Sequence, residues 1–164
     1  VAAETQLGAD ISWTDFAEFT QQLAERIRSD RIPQTIVGIL RGGMIPAVAL
    51  AHQLDVRDVR AVEVTRTLSD GIQAEKSSAP RLRNPASLGN LVGRDVLLVD
   101  DVAGSGTTLA HTRRIIAGLT AARLRTAVLC VNQANWLLPQ QPQAAIDYIA
   151  LRCEGWVIFP WETR

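Results

Sequence analysis

The stretch "VLLVDDVAGSGTTL", Val96–Leu109, decides the reading of this chain. A short apolar run delivers two adjacent carboxylates, Asp100 and Asp101, to a loop of Gly104, Ser105 and Gly106, and Thr107-Thr108 open what reads as a helix. The apolar part is short and β-branched, which predicts a buried strand. The unit is therefore strand, loop, helix. Backbone N–H groups from Ala103 to Thr107 would be free at the helix start, where the dipole also favours negative charge. Ser105, Thr107 and Thr108 add hydroxyl donors. Together these make a cradle for a monophosphate. The two aspartates would repel a bare phosphate, so they call for another partner, and a vicinal diol offers two donors to carboxylates. A ribose 5-phosphate supplies both parts, with Mg2+ against the same diol relieving the charge. A nucleotide-triphosphate loop does not fit, because Thr107 stands where that loop requires lysine and its first glycine is out of place. No G-x-G-x-x-G is present either. A simple helix cap with surface acids leaves the adjacent carboxylate pair unexplained.

Working outward, the same alternation recurs. "TIVGIL" (Thr35–Leu40) predicts a buried strand, followed by Arg41-Gly42-Gly43 and a helix through "PAVALAHQL". "RAVEVT" (Arg60–Thr65), "LRTAVLCV" and "AIDYIAL" predict further strands, and "TTLAHTRRIIAGL" a helix. Before them Phe16, Phe19, Leu23 and Ile27 mark one face of a helix over roughly 14–29. Ser12 and Asp15 are spaced as a capping pair. Residues 67–90 are poor in large apolar residues and rich in Ser, Pro, Gly, Lys and Arg, which predicts one long mobile loop. Strands alternating with helices imply a mostly parallel sheet with helices on both faces, in a single domain over 1–164. Ligands of such sheets bind past the carboxyl ends of the strands, so the 41–43 and 100–106 loops should open on one edge.

The chain has 164 residues with 17 basic and 17 acidic side chains, so its formal net charge is zero. Nucleic-acid-binding domains carry a basic excess, so no nucleic-acid partner is expected. The N-terminal "VAAETQLGAD" has neither a basic start nor an apolar core, and no apolar stretch is long enough to span a bilayer, so a cytoplasmic location is expected. Cys130 and Cys153 form no CxxC pair, and Cys130 sits in an apolar run that predicts a buried thiol. His52 and His111 fall on expected helices beyond the loops and read as packing or surface groups. Asn135 and Trp136 follow a strand end, where they would shape a pocket or simply turn the chain.

The aspartate motif resembles the ribose-phosphate motif of type I phosphoribosyltransferases, with Ser105 in place of the more usual threonine. "GILRGGMIPA" is similar to the pyrophosphate loop of that family, and "WVIFPWE" to the C-terminal hood of its xanthine–guanine branch. The resemblance covers nearly the whole chain. It implies an α/β fold of the type I phosphoribosyltransferase kind, with a C-terminal hood over 152–164 and a flexible lid over 67–90. It implies a glycosyltransferase of purine salvage that moves ribose 5-phosphate from phosphoribosyl pyrophosphate to a nucleobase, with Mg2+. Asp100, Asp101 and Arg41 would be catalytic. Asp100, Asp101 and Val102 through Thr108 (Ala103, Gly104, Ser105, Gly106 and Thr107 between them) would anchor the sugar phosphate. Leu40, Arg41, Gly42 and Gly43 would clamp pyrophosphate across a cis Leu40–Arg41 peptide, with Lys76, Arg81 and Arg83 of the lid reaching the same group. Trp156 would stack on the base, Val157 would meet its edge, and Glu162 would join Asp100 and Asp101 near the metal. Trp161 reads either as part of the hood or as packing.

The family also implies self-association as a homodimer or homotetramer. Two positions depart from its 6-oxopurine branch. Gly104 stands where that branch has an aspartate near N7, and Asn132 where it has a lysine reading the 6-oxo group. The base expected is therefore a purine-like one other than a standard 6-oxopurine. The alternative is a non-catalytic regulator that binds phosphoribosyl pyrophosphate. That would require a DNA-binding domain or a basic RNA face, whereas the residues before the first expected strand read as one helix.

Overall fold

The computed structural model describes residues 5–6, 8–67 and 76–162. Its first long element is helix α1 (Trp13–Asp30), which begins on the expected capping box: Ser12 Oγ accepts from the Asp15 amide, and the Asp15 carboxylate accepts from the Ser12 amide at 2.8 Å. On the apolar face of α1, Leu23 and Ile27 are completely buried and Phe16 and Phe19 partly so. Two short strands precede it, β1 (Thr5–Gln6) and β2 (Ala9–Asp10). The expectation of a single helix before the first strand is thus corrected. A two-residue strand is too short to carry a periodicity, and both are held only by distant partners.

Strand β3 (Thr35–Leu40) leads through the Arg41–Gly43 turn into α2 (Met44–Leu54), and β4 (Val59–Thr67) follows. Strand β5 (Lys76–Leu82) runs antiparallel to β4, and a 3-10 turn covers Pro85–Leu88. The expected single loop over 67–90 is therefore corrected in its described part, while residues 68–75 lie outside the described residues. The outer edge of β4 is open to pairing, and a few apolar anchors suffice to hold the returning chain: Leu82 packs against the core, and Leu88 and Leu91 are buried. Strand β6 (Asp95–Ala103), α3 (Thr107–Gly118), β7 (Arg123–Asn132), the short α4 (Pro142–Ala145), β8 (Tyr148–Cys153) and β9 (Val157–Ile158) complete the chain.

The main sheet has seven strands in the order β1-β8-β7-β6-β3-β4-β5, parallel except for β5. Side chains alternate between two cores. Ile36, Leu97, Val99 and Leu129 face α1 and α2, while Val37, Val96, Leu98 and Val128 face α3. From β3 the chain winds one way through α2 to β4, and from the adjacent β6 the other way through α3 to β7. The junction of β3 and β6 is thus the topological switch point, where the strand ends leave a crevice. Both glycine loops open there. β9 pairs with β2 and lies outside the main sheet. Cys130 and Cys153 are buried free thiols with Sγ atoms 3.1 Å apart, and burial pushes the Cys130 thiol far up.

Candidate active site

At the end of β3 a cis peptide joins Leu40 to Arg41, as the resemblance implies. Gly43 then wedges between the two central strands. A Cβ there would stand 2.6 Å from the Ile39 carbonyl oxygen and 2.7 Å from that of Val99. Gly42 meets the other loop directly, because a Cβ on it would lie 1.7 Å from Asp101 Oδ2. The Asp101 carboxylate therefore rests on the bare backbone of Gly42. The alternation of strands and helices predicts that both loops share one edge; their contact depends on the sheet closing a separation of about sixty residues.

Asp100 is buried at the end of β6, and its Oδ1 accepts from the Asp101 amide at 3.0 Å. Asp101 Oδ1 accepts from the Val102 amide at 2.8 Å. Burial, and next the charge of Asp101, hold the Asp100 carboxyl well above the usual carboxylate range. Burial also raises Asp101, and the charge of Glu162 adds to that. The pair thus has a strong demand for hydrogen-bond donors or positive charge. A cleft of about 210 Å³ opens on it, lined by Leu40, Arg41, Gly42, Asp100, Asp101 and the whole 102–106 loop with Thr108. Ser105 Oγ lies 2.7 Å from Thr107 Oγ1. The first-turn amides of α3 have no acceptor within the helix, and Gly106 caps it with no side-chain bond. The loop presents donors where the aspartates present acceptors.

A second cleft of about 700 Å³ shares Arg41, Gly42 and Asp101 and continues to Ile45, Trp161 and Glu162. Arg41 is exposed at the boundary of the two. Glu162 Oε2 accepts from the Phe159 amide at 2.9 Å, which turns the C-terminal stretch back toward Asp101. Among the described residues no three His, Cys, Asp or Glu converge on a point that could hold a metal. The donor set suits Mg2+, which takes one or two carboxylates and fills its remaining positions with water and substrate oxygens.

The base-side residues are placed differently from one another. Trp156 is 79% exposed, an indole with an open face. In the β2–β9 ladder the carbonyls of Trp156 and Ile158 accept from Ala9 and Ile11. The alternating pattern therefore turns the Val157 amide and carbonyl to the opposite edge. Trp161 is a packing residue: it stacks on Phe159 with centroids 4.7 Å apart and meets Phe16 edge-on at 5.4 Å. Asn132, at the position of the branch's base-reading lysine, is bonded to backbone on both sides. Its Nδ2 donates to the Gly155 carbonyl at 2.9 Å and its Oδ1 accepts from the Ala134 amide at 3.2 Å, which leaves one N–H and one lone pair of the amide. Gly104 has open space where a Cβ would stand. Arg83 lies 3.4 Å from Glu63 and Arg81 is exposed; both stay on the β4–β5 hairpin, and the Lys76 side chain lies outside the described residues. His52 is exposed at the end of α2.

A family model described as a phosphoribosyl transferase domain matches residues 13–164. Among curated proteins, the chain is 30% identical over 161 residues to a xanthine-guanine phosphoribosyltransferase of Roseobacter denitrificans, covering 94% of this chain and 85% of that protein. It is 29% identical over 163 residues to the corresponding protein of a Ruegeria species, with the same coverage. Among solved structures, a purine phosphoribosyltransferase from Pyrococcus horikoshii superposes with a TM-score of 0.77 at 29% identity, over 96% of this chain and 95% of that one.

Proposed function

The chain belongs to the phosphoribosyl transferase family, and on that premise we propose that it transfers ribose 5-phosphate from phosphoribosyl pyrophosphate to a purine-like base and releases pyrophosphate. The observation that carries the reading is the meeting of two glycine loops at the switch point, with Asp101 seated on Gly42 and Asp100 buried behind it. In this reading the amides and hydroxyls of 103–108 hold the 5-phosphate, and Asp100 and Asp101 accept from the ribose hydroxyls. Arg41 and the amides of Gly42 and Gly43 hold the leaving pyrophosphate, whose negative charge grows as the C1–O bond loosens. The exposed Trp156 stacks on the base, and the outward edge of Val157 meets its polar rim. Asn132 contributes by pinning Gly155, and so the start of the base-binding stretch within 152–164.

Mg2+ would be held by Asp100 and Asp101, with Glu162 acting through water, and would supply charge neutralisation for the diol and the departing pyrophosphate. Self-association as a homodimer or homotetramer goes with this reading, and sedimentation would test it. No described helix is long and apolar enough to cross a membrane.

The relatives' names point to xanthine and guanine, yet neither Gly104 nor Asn132 presents a charged group to a base. The substrate in this reading is an amino-substituted or otherwise non-standard purine rather than a 6-oxopurine. The test is pyrophosphate release from phosphoribosyl pyrophosphate with Mg2+ across a panel of bases. Release with an amino-substituted base, at roughly 100-fold higher kcat/KM than with guanine or xanthine, is the expected result. Ordinary turnover of guanine or xanthine removes the base assignment, and absence of release with every base removes the transfer itself.

A further inference from the structure

Gly106 sits at the first turn of α3 with φ +76°, in the left-handed region, and offers no capping side chain itself, while Ser105 Oγ accepts from the Thr107 amide at 3.3 Å. The loop is also braced from outside. The space where a Cβ would project from Gly106 is taken by an aromatic ring: Cη2 and Cζ3 of Trp136 would both lie 2.7 Å from it. The next residue is tied to the same loop, because the Leu137 amide donates to the Ser105 carbonyl at 3.2 Å. A trans peptide is planar, with its C=O and N–H opposed. Drawing the Ser105 carbonyl toward Leu137 therefore turns the Gly106 amide away from Leu137, in a loop whose residues 103–106 line the cleft of Asp100 and Asp101. The ring is fixed in turn, since Trp136 Nε1 donates to the Gln140 carbonyl at 2.8 Å.

We infer that Trp136 is a positioning residue for phosphate binding. It touches no substrate. It backs the Gly106 turn so that the loop amides are aimed before the ligand arrives. This rests on the reading that the 103–108 loop holds the 5-phosphate. Preorganised donors bind more tightly than donors that must be ordered on binding, so the effect belongs to the sugar phosphate and not to the pyrophosphate loop, which is built on β3. It also explains a tryptophan in a connection that otherwise carries no site residue.

The test is calorimetric binding of ribose 5-phosphate and, separately, of pyrophosphate with Mg2+ to the full chain and to Trp136→Leu and Trp136→Phe. The leucine variant is expected to weaken ribose 5-phosphate roughly tenfold and leave pyrophosphate unchanged. The phenylalanine variant keeps a flat ring against Gly106 and is expected to stay within about threefold of the parent for both. Equal binding of ribose 5-phosphate by the parent and the leucine variant overturns the inference, as does an equal loss for both ligands, which marks a general structural role. Should the leucine variant not fold, the phenylalanine variant decides: retention supports the brace, and a loss of roughly tenfold overturns it. A parent protein that does not bind ribose 5-phosphate removes the loop assignment, and the brace with it.

Discussion

Asp100 and Asp101 are held together at a free-energy cost. Burial raises both carboxyls, and the backbone amides they accept from offset only part of that. For an acid whose folded-state pKa lies above its unfolded value, the associated stability is present at low pH and is lost as pH rises through the folded value. At neutral pH the ligand-free protein therefore carries a strained pair. Asp100→Asn or Asp101→Asn keeps the carbonyl acceptor and removes the charge. The expected outcome is a thermal midpoint at pH 7.5 raised by about 2–4 °C, a gain that shrinks toward pH 4, and ribose 5-phosphate affinity reduced by roughly 100-fold or more. Calorimetry at the two pH values checks the sign. A lower midpoint at pH 7.5 would show that the charged pair is a net stabiliser.

Between the loops that follow β3 and β6, the glycines differ in kind. Gly43 is confined by backbone atoms of both strands, the Ile39 and Val99 carbonyls and the Asp100 Cα, none of which can rotate aside. Gly104 faces open space and has an ordinary backbone. Gly43→Ala is expected to destabilise by about 2–3 kcal/mol, because the strand ends must separate. Gly104→Ala should stay within about 0.5 kcal/mol. Urea unfolding of the two variants separates an element junction under steric constraint from a loop position left empty. Equal effects would mean that the crevice is not held by the close approach of β3 and β6. The polar composition of 67–90 predicts a loop, but an edge strand needs few apolar residues once β4 offers a ladder.

Across the whole molecule, the site and the ionic clusters occupy opposite edges of the sheet. At the strand starts, the nearly buried Arg125 and Asp95 pair at 2.8 Å, and Arg125 also donates to Tyr148 Oη and to the Arg31 carbonyl. Asp58 gathers Thr35, Arg60 and Arg94 in the same region. A buried pair contributes little net energy when intact but costs much when broken. Arg125→Met alone should cost about 3–5 kcal/mol, and adding Asp95→Leu should recover most of that. Ribose 5-phosphate affinity should be unchanged in the double variant, since the cleft is at the far end of the strands. Denaturant unfolding and calorimetry on the cycle give both readings, and a failure of the second substitution to rescue would show that the Asp95 charge is not the source of the loss.

The long central strands and helices, the two glycine loops and the aspartate pair are legible in the chain because each is local. Burial periodicity, glycine punctuation and the capping box act within a few residues of themselves. What lay beyond that reading depends on contacts between distant segments: β1 and β2 paired with the C-terminal strands, β5 docked on β4, Asn132 bonded to Gly155, and Asp101 settled on Gly42. Trp136 had no periodicity or motif to mark it, and its place behind Gly106 exists only once β6 and β7 lie side by side. Local chemistry chose which groups this protein has to work with. The packed sheet decided which of them line the crevice, because burial and neighbours are set only when distant segments meet.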